Sequence, residues 1–463
     1  MAHLSTPSSR GQWGSGFVFI LAAAGSAIGL GNIWRFPMSV ADGGGGAFLL
    51  IYLACIFAVG LPVMLAEMVI GRAGEKNPVG AMKHLKPGTP WYLIGALGVI
   101  TGVIIISFYS VIAGWAGLYF VEALRGSFVN ELEDAGAFFG GIISDTGSVL
   151  VAHFIFMAVT SVIVAFGIRH GIELMVKIAM PLFFILLLVL IFRAITLPGS
   201  AEGLAFYLKP DWSTVNAGTF LGALGQAFFS LSLGMGAIIT YGSYLQKKEN
   251  LPTSSGSVVG LDTLIAILAG LIIFPALFSV LSLSQVEETG GGPGLIFIAL
   301  PNIFHALPMS WLFSVLFFAL LLVAALTSAV SLLEVGCSYF VDEKKWSRPK
   351  VALGIGVFAF LLGIPSALSL VEGNFFSTLG GLGISFLDLA ADIYMDFALL
   401  LGGLGIALFV GWGWGLKNAL AEIRHSTPTF ILQNTWCFMI RYIAPIAIII
   451  ILLYNIYSLF TGD

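Results

Sequence analysis

The stretch from Ala24 to Pro37, AGSAIGLGNIWRFP, lies in the first apolar segment of the chain and combines three glycines with polar side chains. Glycine in a helix interior costs about 1 kcal/mol relative to alanine, and a charged group such as Arg35 is costly in lipid. A second such stretch, GQAFFSLSLGMG from Gly225 to Gly236, lies in the sixth apolar segment. Both patterns predict helices that unwind in mid-membrane.

The composition of the whole chain is that of a polytopic membrane protein. Of its 463 residues, 58% are hydrophobic, and 20 Lys+Arg and 24 Asp+Glu carry charge. Charged residues thus make up about a tenth of the chain, against about a quarter in soluble domains. The net charge of −4 gives no basic surface for nucleic acid. The three cysteines and six histidines have neither the spacing of a disulfide framework nor that of a zinc site.

A window of about 20 apolar residues predicts eleven transmembrane helices in one all-α domain over residues 1–463. The predicted spans are 14–38, 46–70, 91–121, 151–168, 173–195, 215–245, 257–284, 309–341, 350–371, 386–413 and 434–460.

The basic residues predict the orientation of these spans. Sixteen of the 20 Lys and Arg residues fall on one side of the predicted membrane and three on the other, while Arg35 lies at a span. Because basic loops are retained in the cytoplasm, we expect a cytoplasmic N-terminus and, after eleven spans, an extracellular C-terminus. The expected location is the cell membrane (the inner or plasma membrane).

The two interrupted segments indicate a binding site. Unwound backbone at membrane depth is tolerated only where it is buried in protein or lines a cavity, and its carbonyl and N–H groups can then bind ions. Close packing of helices through small residues is the alternative explanation. Interruptions five spans apart are typical of a site between the inverted repeats of a secondary transporter.

Several motifs then carry a resemblance to a known family. They are RGQW at Arg10–Trp13, GSAIGLGNIWRFP at Gly25–Pro37, GGGGAF at Gly43–Phe48, GQAFFSLSLGMGAIITYGSY at Gly225–Tyr244 and LTSAVSLLE at Leu326–Glu334. These motifs closely resemble the neurotransmitter:sodium symporter family, and within it the bacterial transporters of several hydrophobic amino acids. The resemblance reaches the RYIAP motif at Arg441–Pro445. It implies a fold of five plus five helices in inverted repeat, with helices 1 and 6 unwound. The repeats would cover about 14–195 and 215–413, with an extra helix at 434–460.

The resemblance implies two co-transported Na⁺ ions, each bound by oxygen atoms, which suit a hard cation. The first site would join the substrate carboxylate to backbone or side-chain oxygens of Ala27, Asn32, Ser230 and Asp262. The second would use the carbonyls of Gly25, Ile28 and Ala324 and the hydroxyls of Thr327 and Ser328. Taken singly, each hydroxyl would be an ordinary helix side chain bonded to the preceding turn.

Asp262 departs from the commoner family pattern, in which asparagine stands here and a hydroxyl one turn later helps to bind chloride. The later position in this chain is Ala266, which offers no donor to an anion. An ionisable side chain within a span is a functional candidate because it is costly there. We expect Asp262 to supply the negative charge that chloride supplies elsewhere, so that transport is independent of chloride. The alternative is a protonated core residue.

The resemblance also implies a substrate site. The carboxylate would meet Leu30, Gly31 and Tyr109, and the ammonium group would meet Ala27, Phe229, Ser230 and Ser232. The side chain would lie among Ile105, Phe229, Met235, Ser328 and Leu332. This apolar lining rewards burial of an apolar side chain, and the adaptable Met235 favours several large aliphatic and aromatic amino acids.

Gate residues are expected on both sides of the site. Arg35 resembles the external gate arginine, with Asp388 as its expected partner and Asp392 close behind. Together with Asp396 these acids share one helix face. Gln226, Tyr109 and Phe229 should complete that lid. On the inner side, Arg10 and Trp13 resemble an amino-terminal latch, with Asp342 as the ion-pair partner and Tyr244 nearby. Solvated surface charges are the alternative for Arg10 and Asp342. Glu67 and Glu334 are interpreted as supports of the unwound segments.

These features together predict a sodium-coupled symporter, not an enzyme, that imports hydrophobic L-amino acids by alternating access. The expected partners are the amino acid and the lipid bilayer, and the protein is expected to be a monomer or a weak oligomer. An intramembrane protease would need a Ser–His or Asp–Asp pair at mid-span, and a channel would need a pore-lining repeat. A non-transporting amino-acid sensor on the same fold is the remaining alternative.

Overall fold

The computed structural model describes residues 11–130, 134–279, 295–306, 309–371, 373–381 and 383–461, and every named regular element in these ranges is a helix. The helices up to the middle of the chain are α1 (Gly16–Ala27), α2 (Gly31–Asp42), α3 (Gly46–Gly74), α4 (Pro78–Leu85), α5 (Tyr92–Arg125), α6 (Ser127–Asn130), α7 (Ala135–Ser144), α8 (Thr146–Ala165), α9 (Ile168–Ile195) and α10 (Ser200–Leu208). Those that follow are α11 (Ala217–Ser230), α12 (Ala237–Gly242), α13 (Leu251–Phe278), α14 (Ile296–His305), α15 (Ser310–Lys344), α16 (Arg348–Leu368), α17 (Phe375–Thr378), α18 (Phe386–Gly413), α19 (Leu416–Ser426) and α20 (Gln433–Ser458).

Nine of the described helices are long and apolar enough to cross a membrane, and α1 with α2 forms a tenth, bent span. The sixth predicted span is instead two helices, α11 and α12, of 14 and 6 residues. Neither is long enough to cross a bilayer by itself. The all-α membrane fold with two broken helices is therefore confirmed, whereas the count of eleven spans is not.

The first break lies between α1 and α2, whose axes differ in direction by 53°. Ile28 is extended there, with φ −72° and ψ 101°, which ends the helical pattern after Ala27. The amide oxygen of Asn32 accepts a hydrogen bond from the Gly29 N–H at 3.1 Å. Residue 29 packs closely on α15, because a Cβ there would clash with the Ser328 hydroxyl oxygen and would lie 3.2 Å from the Ser328 Cβ.

The second break lies between α11 and α12. Ser232, Gly234 and Gly236 have φ values of 54°, 80° and 78°, a conformation that glycine adopts without steric cost. The carboxylate of Glu67, on α3, is buried and accepts a hydrogen bond from the Gly234 N–H at 2.7 Å. Glu67 therefore supports an unwound segment, as its position in a span predicted.

The broken spans lie at the centre of the bundle. Every residue of α12 is buried, as is the end of α1 from Ala22 to Ala27. Around them, α3, α5, α13 and α15 are buried over most of their apolar length, whereas α8, α9, α16 and α20 are more exposed. The exposed side chains of the outer helices include Phe154, Ile185 and Leu361. A surface in contact with lipid requires large apolar side chains of this kind. The protein is therefore a multi-pass membrane protein.

Candidate functional site

A cavity of about 30 Å³ lies between the two breaks. It is lined by Ser26, Ala27, Gly29, Leu30, Gly31, Ile105, Tyr109, Phe229, Ser232, Met235, Ser328 and Leu332. Every residue that the sequence analysis assigned to substrate therefore lines one cavity, except Ser230. The volume is about that of one water molecule, so side chains must move before an amino acid fits.

One wall of this central cavity is polar. The Ser26 carbonyl accepts hydrogen bonds from the hydroxyls of Ser232 and Ser328, both at 3.0 Å, and the Ser26 hydroxyl donates to Ser331 at 2.7 Å. The Leu30 N–H donates to the Tyr109 hydroxyl at 3.2 Å. Sequence reasoning missed Ser26 although it lies inside the motif at the first break, because a small hydroxyl there is also typical of helix packing.

The remaining walls are apolar. Ile105, Phe229, Met235 and Leu332 line the cavity, and none of the cavity-lining residues carries a formal charge. A Cβ on Gly31 would lie 2.8 Å from the Phe229 ring, so the ring packs directly on the backbone at the break. The cavity thus offers hydrogen bonds at one end and hydrocarbon contact at the other.

Asn32, Ser230 and Asp262 form a buried polar cluster beside the cavity. The carboxylate of Asp262 accepts hydrogen bonds from the Asn32 amide and the Ser230 hydroxyl, both at 2.8 Å. The Asn32 amide also lies 3.3 Å from the Ser230 hydroxyl oxygen. None of the ion pairs in the described ranges involves Asp262. A buried carboxylate without a counter-charge is unfavourable, so a bound cation would stabilise this cluster.

A second oxygen-rich cluster joins α15 to the first break. The Thr327 hydroxyl lies 2.9 Å from the Ala324 carbonyl oxygen and 3.3 Å from that of Ile28. The Ser328 hydroxyl lies 3.4 Å from the same Ile28 oxygen. A Cβ on Gly25 would lie 3.4 Å from Thr327. The five residues predicted for the second sodium site therefore come together, and their donors are neutral oxygens that suit Na⁺.

A vestibule of about 230 Å³ adjoins the central cavity. Five residues line both spaces, namely Leu30, Gly31, Ile105, Tyr109 and Phe229. Gln226, predicted as part of this lid, is buried and donates a hydrogen bond to the Gly31 carbonyl at 3.3 Å. This hydrogen bond ties Gln226 to the backbone next to the first break.

The partner of Arg35 differs from the predicted one. Its guanidinium lies 3.1 Å from the Asp396 carboxylate and 4.8 Å from the centre of the Phe229 ring. Asp388 and Asp392, the predicted partners, line the vestibule without this ion pair. Asp388 lies eight residues before Asp396, about 12 Å along a helix at 1.5 Å per residue. Arg35 is held beside the Phe229 ring, where it reaches Asp396 and not Asp388.

On the opposite side of the bundle, the segment before α1 is closed onto α12. Trp13 is 1% exposed. Its ring N–H donates to the Tyr241 carbonyl at 3.0 Å, and its backbone N–H donates to the Tyr244 carbonyl at 3.3 Å. Arg10 lies outside the described residues, so its pairing with Asp342 stays a prediction.

The other charges on this side form defined pairs. The Asn77 N–H donates to the Asp342 carboxylate at 2.8 Å. Glu334 accepts a hydrogen bond from the Tyr244 hydroxyl at 2.6 Å and forms an ion pair with Arg348 at 2.6 Å. Among the described residues, Glu334 therefore contacts the segment after α12, and its role as a support of an unwound segment stays a prediction. Sequence reasoning missed Arg348 because it counted this residue only as a marker of orientation.

The fold defines a class of protein, a secondary transporter whose two broken helices enclose a central cavity. The profile described as "Sodium:neurotransmitter symporter family" matches residues 10–133 and 137–461. The chain belongs to this family of sodium-dependent transporters.

Individual relatives agree with this assignment. The uncharacterized sodium-dependent transporter YhdH of Bacillus subtilis (strain 168) is 40% identical over 96% of this chain and 97% of its own length. An uncharacterized sodium-dependent transporter of Haemophilus influenzae is 34% identical over 97% and 98% of the two chains. The crystal structure of MhsT in complex with L-phenylalanine matches with a TM-score of 0.87 and 46% identity, covering 96% of this chain and 100% of that one.

Proposed function

We propose that the protein is a symporter that couples the entry of hydrophobic L-amino acids to sodium. The observation that carries this proposal is the central cavity itself, which is polar at the first break, apolar elsewhere and flanked by two oxygen-rich clusters. The similar protein MhsT was crystallised with L-phenylalanine, which supports a large apolar amino acid as the substrate.

The amino acid would lie with its carboxylate towards the Leu30 N–H and the Tyr109 hydroxyl, which are 3.2 Å apart. Its ammonium group would approach the carbonyls near the end of α1, where the Ser26 carbonyl already attracts two hydroxyl donors. The side chain would displace Phe229, Met235 and Leu332 from the cavity. Burial of a side chain the size of phenylalanine is worth about 1.5–3 kcal/mol.

Two sodium ions would bind in the two oxygen-rich clusters. In the first, Na⁺ would neutralise Asp262 and turn the amide oxygen of Asn32 and the hydroxyl oxygen of Ser230 towards itself. In the second cluster, the Thr327 hydroxyl now donates to the Ile28 and Ala324 carbonyls. This hydroxyl would rotate so that its oxygen and the two carbonyl oxygens all face Na⁺. The fixed charge of Asp262 supports transport that does not depend on chloride.

Alternating access would be governed by contacts on both sides of the cavity. The ion pair between Arg35 and Asp396 and the ring of Phe229 close the vestibule side, and the docking of Trp13 closes the other. The distribution of Lys and Arg supports a cytoplasmic location for the Trp13 side. We accordingly assign the protein to the cell membrane, with repeats at about 14–195 and 215–413.

The sodium gradient is sufficient for this activity. One charge moving through 100 mV yields about 2.3 kcal/mol, and a tenfold concentration gradient yields about 1.4 kcal/mol. Two Na⁺ ions would therefore supply about 7 kcal/mol, enough to concentrate a zwitterion about 10⁵-fold.

The test is uptake of labelled leucine, tryptophan and tyrosine into proteoliposomes under an inward sodium gradient, with potassium in place of sodium as the control. We expect accumulation above the external concentration only with sodium. Sodium-dependent binding without accumulation would instead indicate a sensor, and transport that is unchanged in potassium would refute sodium coupling.

A further inference from the structure

The helix α19, which connects α18 to α20, is tied to the same side of the bundle as Trp13. The guanidinium of Arg72, at the end of α3, is fully buried. It lies 2.7 Å from the Glu422 carboxylate and 2.9 Å from the Ser426 hydroxyl, both on α19. The same guanidinium donates to the Glu249 carbonyl at 2.6 Å, in the segment that follows α12. Arg72 thus links α19 to the segment between α12 and α13.

In the part of the chain around α19, the acidic side chain faces the protein interior and the basic side chains of α19 face outward. Between residues 409 and 443 the sequence contains three Lys or Arg residues and a single acid, Glu422. Glu422 faces inward, where it pairs with both Arg72 and Lys247. Lys417 and Arg424 are exposed. The outer surface of α19 is therefore basic, with no acid of this segment to neutralise it.

Arg441, in the third turn of α20, is the most unusual of these cations. Its guanidinium carbon lies 5.4 Å from the Trp412 ring and 5.6 Å from the Tyr442 ring. Its Nε is buried and has no hydrogen-bond partner within the described residues, and none of their ion pairs includes it. Two half-exposed rings thus present a positive charge that lacks an anion.

Large apolar side chains are also exposed in the loop before α20 and on the first turns of this helix. Ile431 is 94% exposed and Leu432 is 62% exposed, and both lie in the loop between α19 and α20. Phe438, on the first turns of α20, is also exposed. Apolar side chains beside basic and aromatic ones are typical of protein surface at the boundary between acyl chains and headgroups. The apolar groups would enter the acyl layer while Arg441 stays at the depth of the phosphates.

We propose that this corner, which we call the basic corner (Trp412, Lys417, Arg424, Arg441 and Tyr442), binds the headgroup of an anionic phospholipid of the cytoplasmic leaflet. The phosphate would accept hydrogen bonds from the guanidinium of Arg441, and the exposed Lys417 and Arg424 would attract the negative headgroup. The assignment to the cytoplasmic leaflet rests on the orientation proposed above. Through Glu422 and Arg72, the bound lipid would steady the segment that follows α12.

The test is native mass spectrometry of the purified full-length protein, titrated with dioleoyl phosphatidylglycerol or with zwitterionic dioleoyl phosphatidylcholine. We expect phosphatidylglycerol to bind more tightly, and Arg441→Gln to weaken it by about fivefold, the factor that matches about 1 kcal/mol for one basic residue at an anionic surface. The control is Arg125→Gln. Arg125 already pairs with Glu122 at 2.6 Å, so this variant should bind phosphatidylglycerol as the unaltered protein does.

Equal binding of the two lipids by the unaltered protein would overturn the proposal, and so would unchanged binding of phosphatidylglycerol to Arg441→Gln. If Arg441→Gln does not fold, the double variant Lys417→Gln, Arg424→Gln removes two exposed charges and should lose the preference for the anionic lipid. Lipid binding in this assay needs neither sodium nor an amino acid. A failure of the proposed transport activity would therefore leave the result interpretable.

Discussion

Replacement of Asp262 by asparagine removes one negative charge from the first oxygen-rich cluster while it preserves the shape of the side chain. The carboxylate is buried and has only neutral donors, the amide of Asn32 and the hydroxyl of Ser230, within hydrogen-bond distance among the described residues. Under our proposal, Na⁺ is the counter-charge that this carboxylate lacks. The substitution should therefore weaken sodium binding more than it weakens folding.

The size of the effect follows from the electrostatic attraction. Two unit charges 4 Å apart interact by about 4 kcal/mol at an effective dielectric constant of 20. Asparagine keeps one oxygen ligand and so recovers part of this attraction. We expect a loss of at least about 1.4 kcal/mol, which raises the sodium concentration for half-maximal binding at least tenfold.

The assay is equilibrium binding of labelled phenylalanine at increasing sodium concentration, in gluconate medium without chloride. The control is Asp145→Asn, which also removes one carboxylate but at an exposed helix cap, where Asp145 accepts from the Ser148 N–H at 3.3 Å. An unchanged sodium requirement in Asp262→Asn would refute the role of the carboxylate. A requirement for chloride in the unaltered protein would refute the proposed independence from chloride.

Three further substitutions test the remaining contacts. Thr327→Ala should raise the sodium concentration for half-maximal uptake and reduce its cooperativity, whereas Ser338→Ala, which removes a hydroxyl bonded to the preceding turn of the same helix, should not. Gly29→Ala should abolish measurable substrate binding in the equilibrium assay, because the added Cβ would lie 2.4 Å from a serine hydroxyl oxygen. Asp396→Asn should speed dissociation of bound amino acid severalfold in a filter assay, because it breaks the 3.1 Å ion pair of the vestibule, while Asp388→Asn should change it less.

Each of these predictions has an outcome that contradicts it. Equal sodium curves for Thr327→Ala and Ser338→Ala would remove the second cluster from the sodium pathway. Normal binding by Gly29→Ala would mean that the first break can shift to admit a methyl group. A larger effect of Asp388→Asn than of Asp396→Asn would restore the partner predicted from the sequence.

The sequence predicts the breaks and the residues around them because both have local causes. Three glycines beside Asn32 make a continuous helix costly, and the positive φ values of Gly234 and Gly236 need a residue without a Cβ. The family resemblance indicated ten of the twelve residues that line the central cavity, six of them in the motifs at the two breaks and four on α5 and α15. Only Ser26 and Gly29, which lie within the same motif, had not been assigned to it.

The partners of charged side chains were predicted less well, since they depend on depth and packing. Helical spacing puts Asp388, Asp392 and Asp396 on one face, and it does not decide which of them reaches Arg35. In the structure, residues Asp392–Ala398 form a π-helical segment, which changes the register that an ideal helix would have. The choice of Asp396 is a property of the packed bundle.

Three of the charged side chains within the spans have a partner of opposite charge, and Asp262 differs from these three. Arg35 has Asp396, Arg72 has Glu422, and Glu334 has Arg348. In each pair the two side chains neutralise each other's charge. They can therefore remain buried or half-buried without an ion from solution. Asp262 is buried among neutral donors only, and it lies beside a cavity where substrate carboxylate would add a second negative charge. Under our proposal, binding of the amino acid makes this centre more dependent on a cation, and this mutual requirement is the proposed physical basis of coupling between substrate and sodium.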